Sequence, residues 1–194
     1  MRHGQIKANR VGRWHGSTDT GLTFTGRLQA RRAAGYLACE YPDIAAVYAS
    51  PLKRCQMTAS IATRGRDLEL KSHPGLAELC IGEWEDMSFR DLHKQHNLIN
   101  RLTSDPYFRP PGGETVDEVS VRVTEALREI EAAHPGENVL VVSHGVALGI
   151  ALGTLLHFQP TKWPDYDIDN CSITELYLNP KPHVPFYNRP PVHA

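Results

Sequence analysis

The chain has 194 residues, with 21 Lys and Arg against 22 Asp and Glu and a formal net charge of −1. That length fits one domain with a sizeable core, and a hydrophobic share of 41% beside 15 glycines excludes global disorder. The near-neutral balance gives no electrostatic footprint for nucleic acid or an anionic membrane.

Taken in chain order, Met1-Arg2-His3-Gly4-Gln5 opens without the apolar stretch of a secretory signal. Thr23 is placed to cap a helix running to about Glu40, with Ala30, Ala34, Leu37 and Ala38 at core-facing spacing. Ile44 to Ala49 reads as a short buried strand ending at Ser50-Pro51, followed by a helix from Leu52 to about Thr63. Residues 68–72 form a candidate edge strand. Residues 75–95 are mixed, with a helix from about Ser88, and Pro110-Pro111-Gly112-Gly113 is a loop. Thr115 and Glu118 then make a capping box for a helix to about His134, stopped by Pro135-Gly136.

Val139-Leu140-Val141-Val142 is a continuous, mostly β-branched run of the parallel-sheet type. No charged residue falls between Val139 and Phe158, but Ser143-His144-Gly145 divides the stretch. A membrane span needs about 20 apolar residues in one helix, so a buried strand followed by a buried helix is expected instead. Residues 173–178 form a last strand. Prolines 180, 182, 185, 190 and 191 disfavour regular structure beyond it. Residues 1–178 are therefore expected to be a single domain and residues 179–194 a Pro-rich tail, extended or disordered. Cys39, Cys55, Cys80 and Cys171 lack disulfide-framework or zinc-finger spacing and read as reduced thiols of a cytoplasmic protein.

Strands alternating with helices predict an α/β fold, a three-layer sandwich whose mostly parallel central sheet is flanked by helices. Ligands of such sheets bind beyond the carboxyl ends of the strands. Arg2-His3-Gly4, Ser50 to Arg54 and Ser143-His144-Gly145 all punctuate strand ends, so they are expected to share one face. Two imidazoles and two guanidiniums would then meet. An arginine fork matches a pair of phosphate oxygens. Flanking positive charge keeps an imidazole neutral and hence nucleophilic, which points to a phosphohistidine.

The segment Arg2-His3-Gly4-Gln5-Ile6-Lys7-Ala8-Asn9 resembles the signature of the histidine phosphatase (phosphoglycerate mutase-like) superfamily. Five further segments continue the resemblance in order. They are Arg13-Trp14-His15-Gly16 with Asp19 to Ala30, Ser50 to Arg54 with Thr58-Ala59, Leu76 to Glu85, Pro111 to Thr115, and Val141 to Gly145. Together they cover residues 2 to about 178.

The resemblance implies that His3 accepts the phosphoryl group and that Arg2, Arg54 and His144 bind its oxygens. Asn9 and the Gly145 backbone N–H would add to that pocket. Glu78 would protonate the leaving alkoxide, a role suited to a carboxyl poised near an apolar segment. The arginines supply the positive charge, so neither metal nor cofactor is implied. Trp14 and His15 stand where relatives often have other residues, and with Arg13 and Gly16 of the same loop they are candidates for substrate selection, with core packing as the plainer role for Trp14.

The phytase-like branch of the family carries Arg and Pro after the first His-Gly and Asp after the second His. Here Ile6, Ala8 and Gly145 stand there. Very short phosphohistidine phosphatases lack an equivalent of Glu78. Glycolytic mutases have a longer insertion than residues 86–111, with paired arginines, whereas Arg90, Arg101 and Arg109 are dispersed. The resemblance thus favours a phosphatase of small phosphorylated metabolites. The alternatives are a phosphoglycerate mutase-type transferase and a non-catalytic phospholigand-binding relative. Self-association as a homodimer is left open. Relatives carry an apolar strand ahead of Arg-His-Gly, and only Met1 stands there in this chain. The expectation is a gap in the sheet, His3 on a frayed end beside a charged α-amine, and a natural start upstream of Met1.

Overall fold

A computed structural model describes residues 1–191. Its elements in chain order begin with α1 (Lys7–Val11), α2 (Phe24–Glu40), β1 (Ile44–Ala49), α3 (Lys53–Ala62) and β2 (Leu70–Ser72). They continue with α4 (Phe89–Asp91), α5 (Leu98–Ser104), α6 (Val116–Ala133), β3 (Asn138–Val142), α7 (Gly145–His157), β4 (Ile173–Tyr177) and β5 (His183–Arg189). Strands β2, β1 and β3 pair in that order, all parallel.

The period-2 alternation of a strand divides the core between two helical layers. Leu140 and Val142 of β3 join Val47, Leu37 and Ala59 on the side of α2 and α3. Val139 and Val141 join Leu76, Ile130 and Leu155 on the side of α6 and α7. This is the expected sandwich. Thr23 caps α2 by accepting from the Gly26 N–H, and Thr115 with Glu118 forms the capping box of α6. The uncharged stretch from Val139 divides into β3 and α7, and no helix among the described residues is long and apolar enough to cross a membrane.

Three elements depart from the sequence reading. Helix α1 has no counterpart in it; this is a five-residue turn closed by Gly12 at φ 66°. The helix expected from about Ser88 breaks into α4, a π turn at Leu92–His96 and α5, because Asn97 sits in the left-handed region at φ 48°. The Pro-rich end is not an irregular tail through residue 191, since β5 pairs antiparallel with β4, matching Glu175 to Phe186 and Tyr177 to His183. Pro185 is tolerated there because β5 is an edge strand, where a missing N–H breaks no central ladder. Phe186 packs onto the α2/α3 side of the core. Residues 192–194 of the expected tail lie outside the described residues.

Between β3 and β4 the sheet is not continuous. Residues 1–3 enter that gap from one end and bond to both sides. His3 N–H donates to Ser143 O (2.9 Å) and Ser143 N–H to Met1 O (3.0 Å). On the other side Arg2 N–H donates to Ser172 O (3.3 Å) and Cys171 N–H to Arg2 O (3.1 Å). The expected gap is present, but the expected fraying is not: Met1 is buried and its amine donates to Val141 O at 2.8 Å. Burial pushes that amine down from 8.0 to about 6. Behind it a cavity of about 390 Å³ continues between the strands, lined by Leu37, Ile130, Leu140, Leu152, Ile173 and Leu176 among others.

This arrangement predicts a pH-dependent stability. The amine's folded pKa lies below its unfolded value, so the neutral form is favoured by folding. Stability should rise by about 2 kcal/mol between pH 6 and 8, because each pH unit well between the two pKa values is worth ~1.4 kcal/mol and the slope halves at each end. A variant carrying five apolar β-branched residues ahead of Met1 should fill the cavity and move the amine away. Urea titrations at pH 6.5 and 8 are expected to show a higher midpoint for that variant and a clearly smaller rise between the two pH values, the remainder coming from the buried, neutral His3 and His144. An equal rise in both chains would contradict the account.

Candidate active site

The three loops expected to converge do so at the carboxyl ends of β1 and β3, where Arg2 pairs as an isolated bridge with Ser143. The His3 and His144 rings lie 5.3 Å apart at 62°. His3 is 4% exposed. Its Nδ1 lies 2.8 Å from Gly4 O and donates to it, which leaves the unprotonated Nε2 as the free ring nitrogen. Three neighbours fix this residue's backbone. Gly4 N–H donates to Thr58 Oγ1 (3.0 Å), and Asn170 Nδ2 donates to His3 O (2.9 Å). A Cβ on Gly4 would stand 2.6 Å from Gly26 O, so only glycine lets the Arg2-His3-Gly4 loop lie against α2.

Arg54, at the start of α3, is fully buried and donates in four directions. Its Nε reaches His144 Nδ1 (3.1 Å), Nη1 reaches Thr18 O (2.8 Å), and Nη2 reaches His15 O (3.1 Å) and Gly16 O (2.7 Å). Since His144 Nδ1 accepts, its Nε2 carries the proton and donates to Ser50 Oγ at 2.8 Å. Arg2 donates Nη1 to Ile168 O, while its buried Nε has no partner among the described residues. A Cβ on Gly145 would lie 3.4 Å from Arg2 Cζ and Nε, so Gly145 is the floor against which this guanidinium rests.

These charges act on the imidazoles. Burial, then Arg54 and Arg2, holds His3 well below its ordinary 6.5. Burial, then Arg54 and His3, does the same for His144. Both rings are therefore neutral at pH 7, as a nucleophile must be.

Glu78 is buried beside them. Its carboxylate accepts from the N–H groups of Leu79 (2.9 Å), Ala147 (2.8 Å) and Val146 (3.2 Å), the last two being the first turn of α7. The backbone of Glu78 is held by Arg122, which donates to the carbonyls of Gly75 (3.0 Å), Ala77 (2.7 Å) and Glu78 (3.0 Å). Arg122 is locked in turn by Glu114 at 2.8 and 2.9 Å, and Glu114 also accepts from Cys80 N–H. That network gives the Gly-Gly-Glu-Thr segment its purpose. A Cβ on Gly113 would stand 2.7 Å from Cys80 O, so glycine lets the segment lie against residue 80, and Thr115 then caps α6.

The other expected residues divide in role. Asn9 Oδ1 accepts from Ile6 N–H (3.0 Å) and Asn170 Nδ2 (3.4 Å), so it caps α1 and braces the residue that holds His3 O. Trp14 is a core residue, packed with Leu79, Leu92 and Val116 and edge-on to Phe89, so it is not free to contact a substrate. Gly16 has no side chain to select with, and its carbonyl serves Arg54. Arg13 and His15 reach outward to Asp86, with His15 Nε2 at 2.9 Å from Asp86 Oδ1. Sequence reasoning misses Thr58, Glu114, Arg122 and Asn170 as site residues. Their partners among residues 3–4 and 78–80 lie from 34 to 167 positions away, which no local pattern records.

The family model for the histidine phosphatase superfamily (branch 1) matches residues 1–184. A bifunctional protein of Mycobacterium tuberculosis is 33% identical over 97% of this chain, which spans 52% of that protein, so the chain covers about half the length of this relative. Phosphoserine phosphatase 1 of Hydrogenobacter thermophilus is 30% identical, over 95% of this chain and 87% of that one. A probable phosphoglycerate mutase of Photorhabdus laumondii is 33% identical, over 91% and 82%. Among solved structures, the mycobacterial glucosyl-3-phosphoglycerate phosphatase complexed with VO3 superposes with a TM-score of 0.86 at 26% identity, covering 97% of this chain and 96% of that one. A match that runs from the Arg2-His3-Gly4 loop through β4, on a fold shared with a phosphatase, makes the chain a member of the histidine phosphatase superfamily, branch 1.

Proposed function

We propose that the chain is a phosphatase that hydrolyses small phosphorylated metabolites through a phosphohistidine on His3, without a metal ion. The observation that carries this reading is the neutral His3 ring, anchored through Nδ1 on Gly4 O, beside an Arg2 guanidinium whose buried Nε lacks a partner among the described residues. An unpaired buried N–H carries a cost of about 1–3 kcal/mol that an incoming phosphate oxygen would remove.

In the proposed reaction Arg2, Arg54, His144, the Asn9 amide and the Gly145 N–H surround the phosphate. His3 Nε2 attacks phosphorus, forming the P–N bond as the ester P–O bond breaks. The electron pair leaves on the alkoxide, which takes a proton from the Glu78 carboxyl. A water molecule then attacks the phosphohistidine and returns its proton to Glu78, while the P–N electrons go back to His3. Arg2 and Arg54 stabilise the equatorial oxygens, which gain charge in both steps. The four free cysteines support a cytoplasmic setting.

The test is release of inorganic phosphate from p-nitrophenyl phosphate with excess EDTA, followed by a panel of phosphoserine, phosphoglycerates and sugar phosphates. Release that survives EDTA is expected. The mutase reading, favoured by the relatives named as probable mutases, predicts instead an isomerised phosphoester with little free phosphate.

A further inference from the structure

Glu85 takes no part in the proposed reaction, yet its carboxylate is the most heavily bonded acid among the described residues. It accepts from the N–H groups of Gly16 (2.8 Å), Ser17 (3.1 Å) and Thr18 (3.4 Å), from the Thr18 hydroxyl (3.0 Å) and from Ile81 N–H (3.2 Å). The strap it gathers, residues 15–18, is the one whose carbonyls receive Arg54: His15 O, Gly16 O and Thr18 O. One short run of backbone therefore turns its N–H groups to an anion and its carbonyls to a cation. The fit is close. A Cβ at Gly16 would stand 2.4 Å from Glu85 Oε1 and 2.1 Å from Leu79 O, so the strap reaches the carboxylate only with glycine there.

Arg54 depends on that strap for three of its four hydrogen bonds. A guanidinium is planar, and its rotation decides which N–H groups face a ligand. We infer that Glu85 is the positioning residue of Arg54: by closing the 15–18 strap into a carbonyl cradle it sets the plane in which the guanidinium meets phosphate. This rests on the reading of Arg54 as a phosphate ligand. Two simpler roles are distinguishable from it. As a bare negative charge near Arg54, Glu85 would weaken anion binding, and its removal would strengthen it. As a purely structural clasp, it would affect stability alone.

The variant is Glu85→Gln. Both carboxylate oxygens accept N–H donors, so an amide nitrogen on either side faces a donor and the strap opens. Inorganic phosphate affinity, measured by calorimetry, is expected to fall about 10-fold or more, and kcat/KM by about 10–100-fold, since a 1 Å misplacement costs on that order. The acid limb of kcat/KM is expected to move up, because Arg54, with Arg2 beside it, is one of the two charges that hold His3 down; the facing His144 ring is neutral and adds no charge. In an Arg54→Lys background Glu85→Gln should add little further loss, since both act through one guanidinium. The milder Thr18→Val removes only the hydroxyl bond and should shift the same quantities in the same direction, by less. It keeps the test alive if Glu85→Gln does not fold.

Unchanged phosphate affinity and acid limb, with only a lower Tm, would overturn the inference in favour of a structural clasp. Tighter phosphate binding with a lower acid limb would overturn it in favour of a bare charge. Phosphate binding reads the cradle without turnover, so an inactive wild type would refute the proposed function and not this assignment.

Discussion

His3→Ala is expected to lower phosphate release by at least about 10³-fold while leaving phosphate affinity within a few-fold of wild type. Among the described residues no replacement nucleophile stands in the same position. Burial pushes the Cys55 thiol far up, so it stays protonated, and His144 has no free lone pair, since Nδ1 accepts from Arg54 and Nε2 carries the proton it donates. Removing one member of a catalytic unit commonly costs about 10³–10⁶ in rate. Affinity should survive because the guanidiniums have their own supports, Ile168 O for Arg2 and the 15–18 strap for Arg54. The same environment sets the pH dependence. His3 lies well below 6.5, so the neutral nucleophile persists and kcat/KM should not fall as pH drops from 7.5 to about 6.5. Steady-state kinetics beside phosphate calorimetry checks both halves. Loss of binding and turnover together would mean that the substitution collapsed the pocket.

Arg54→Lys is the second large effect. A lysine keeps the charge but has three donors on one atom, whereas Arg54 serves His144 Nδ1 and three carbonyls from three nitrogens spread across a plane. Turnover is expected to fall by about 10²–10³, the range seen when one preorganised donor to a developing oxyanion is lost. Stability should fall as well. At a fully buried position at least one carbonyl loses its partner, at about 1–3 kcal/mol for each such group. The pairing of lost kcat with a lower urea midpoint distinguishes this residue from His3, whose replacement removes a ring with a single hydrogen bond. Near-wild-type turnover in Arg54→Lys would mean that point charge alone, and not the fork, binds the phosphate.

Much of this site is legible in the sequence because strand ends are. The run 139–142 and the strand 44–49 are short, buried and bounded by polar residues, so the positions of His144 and Arg54 follow from where the apolar residues stop. Cap signals such as Thr23 and Thr115 fix two helix starts for the same local reason. The second layer is not legible. Arg122 grips Glu78 from 44 positions away and Glu85 grips Gly16 from 69, and neither contact leaves a trace in spacing or periodicity. Trp14 shows the limit of reading a variable position as a selecting one, since its ring fills the core under α5 and α6. The end of the chain misleads in the opposite sense. Proline density argues against structure, but Pro185 falls on a sheet edge, and the alternation of Val184, Phe186 and Asn188 facing inward outweighs it.

The most direct test of the account is to look for the covalent intermediate. A single turnover with a radiolabelled phosphomonoester would be quenched rapidly in alkaline denaturant and the protein digested for mass spectrometry. The predicted result is one phosphoryl group on the peptide bearing His3, stable to base and labile to acid as a phosphoramidate is, and absent from His3→Ala. Steady phosphate release with no label on His3, or with label on another residue, would contradict it.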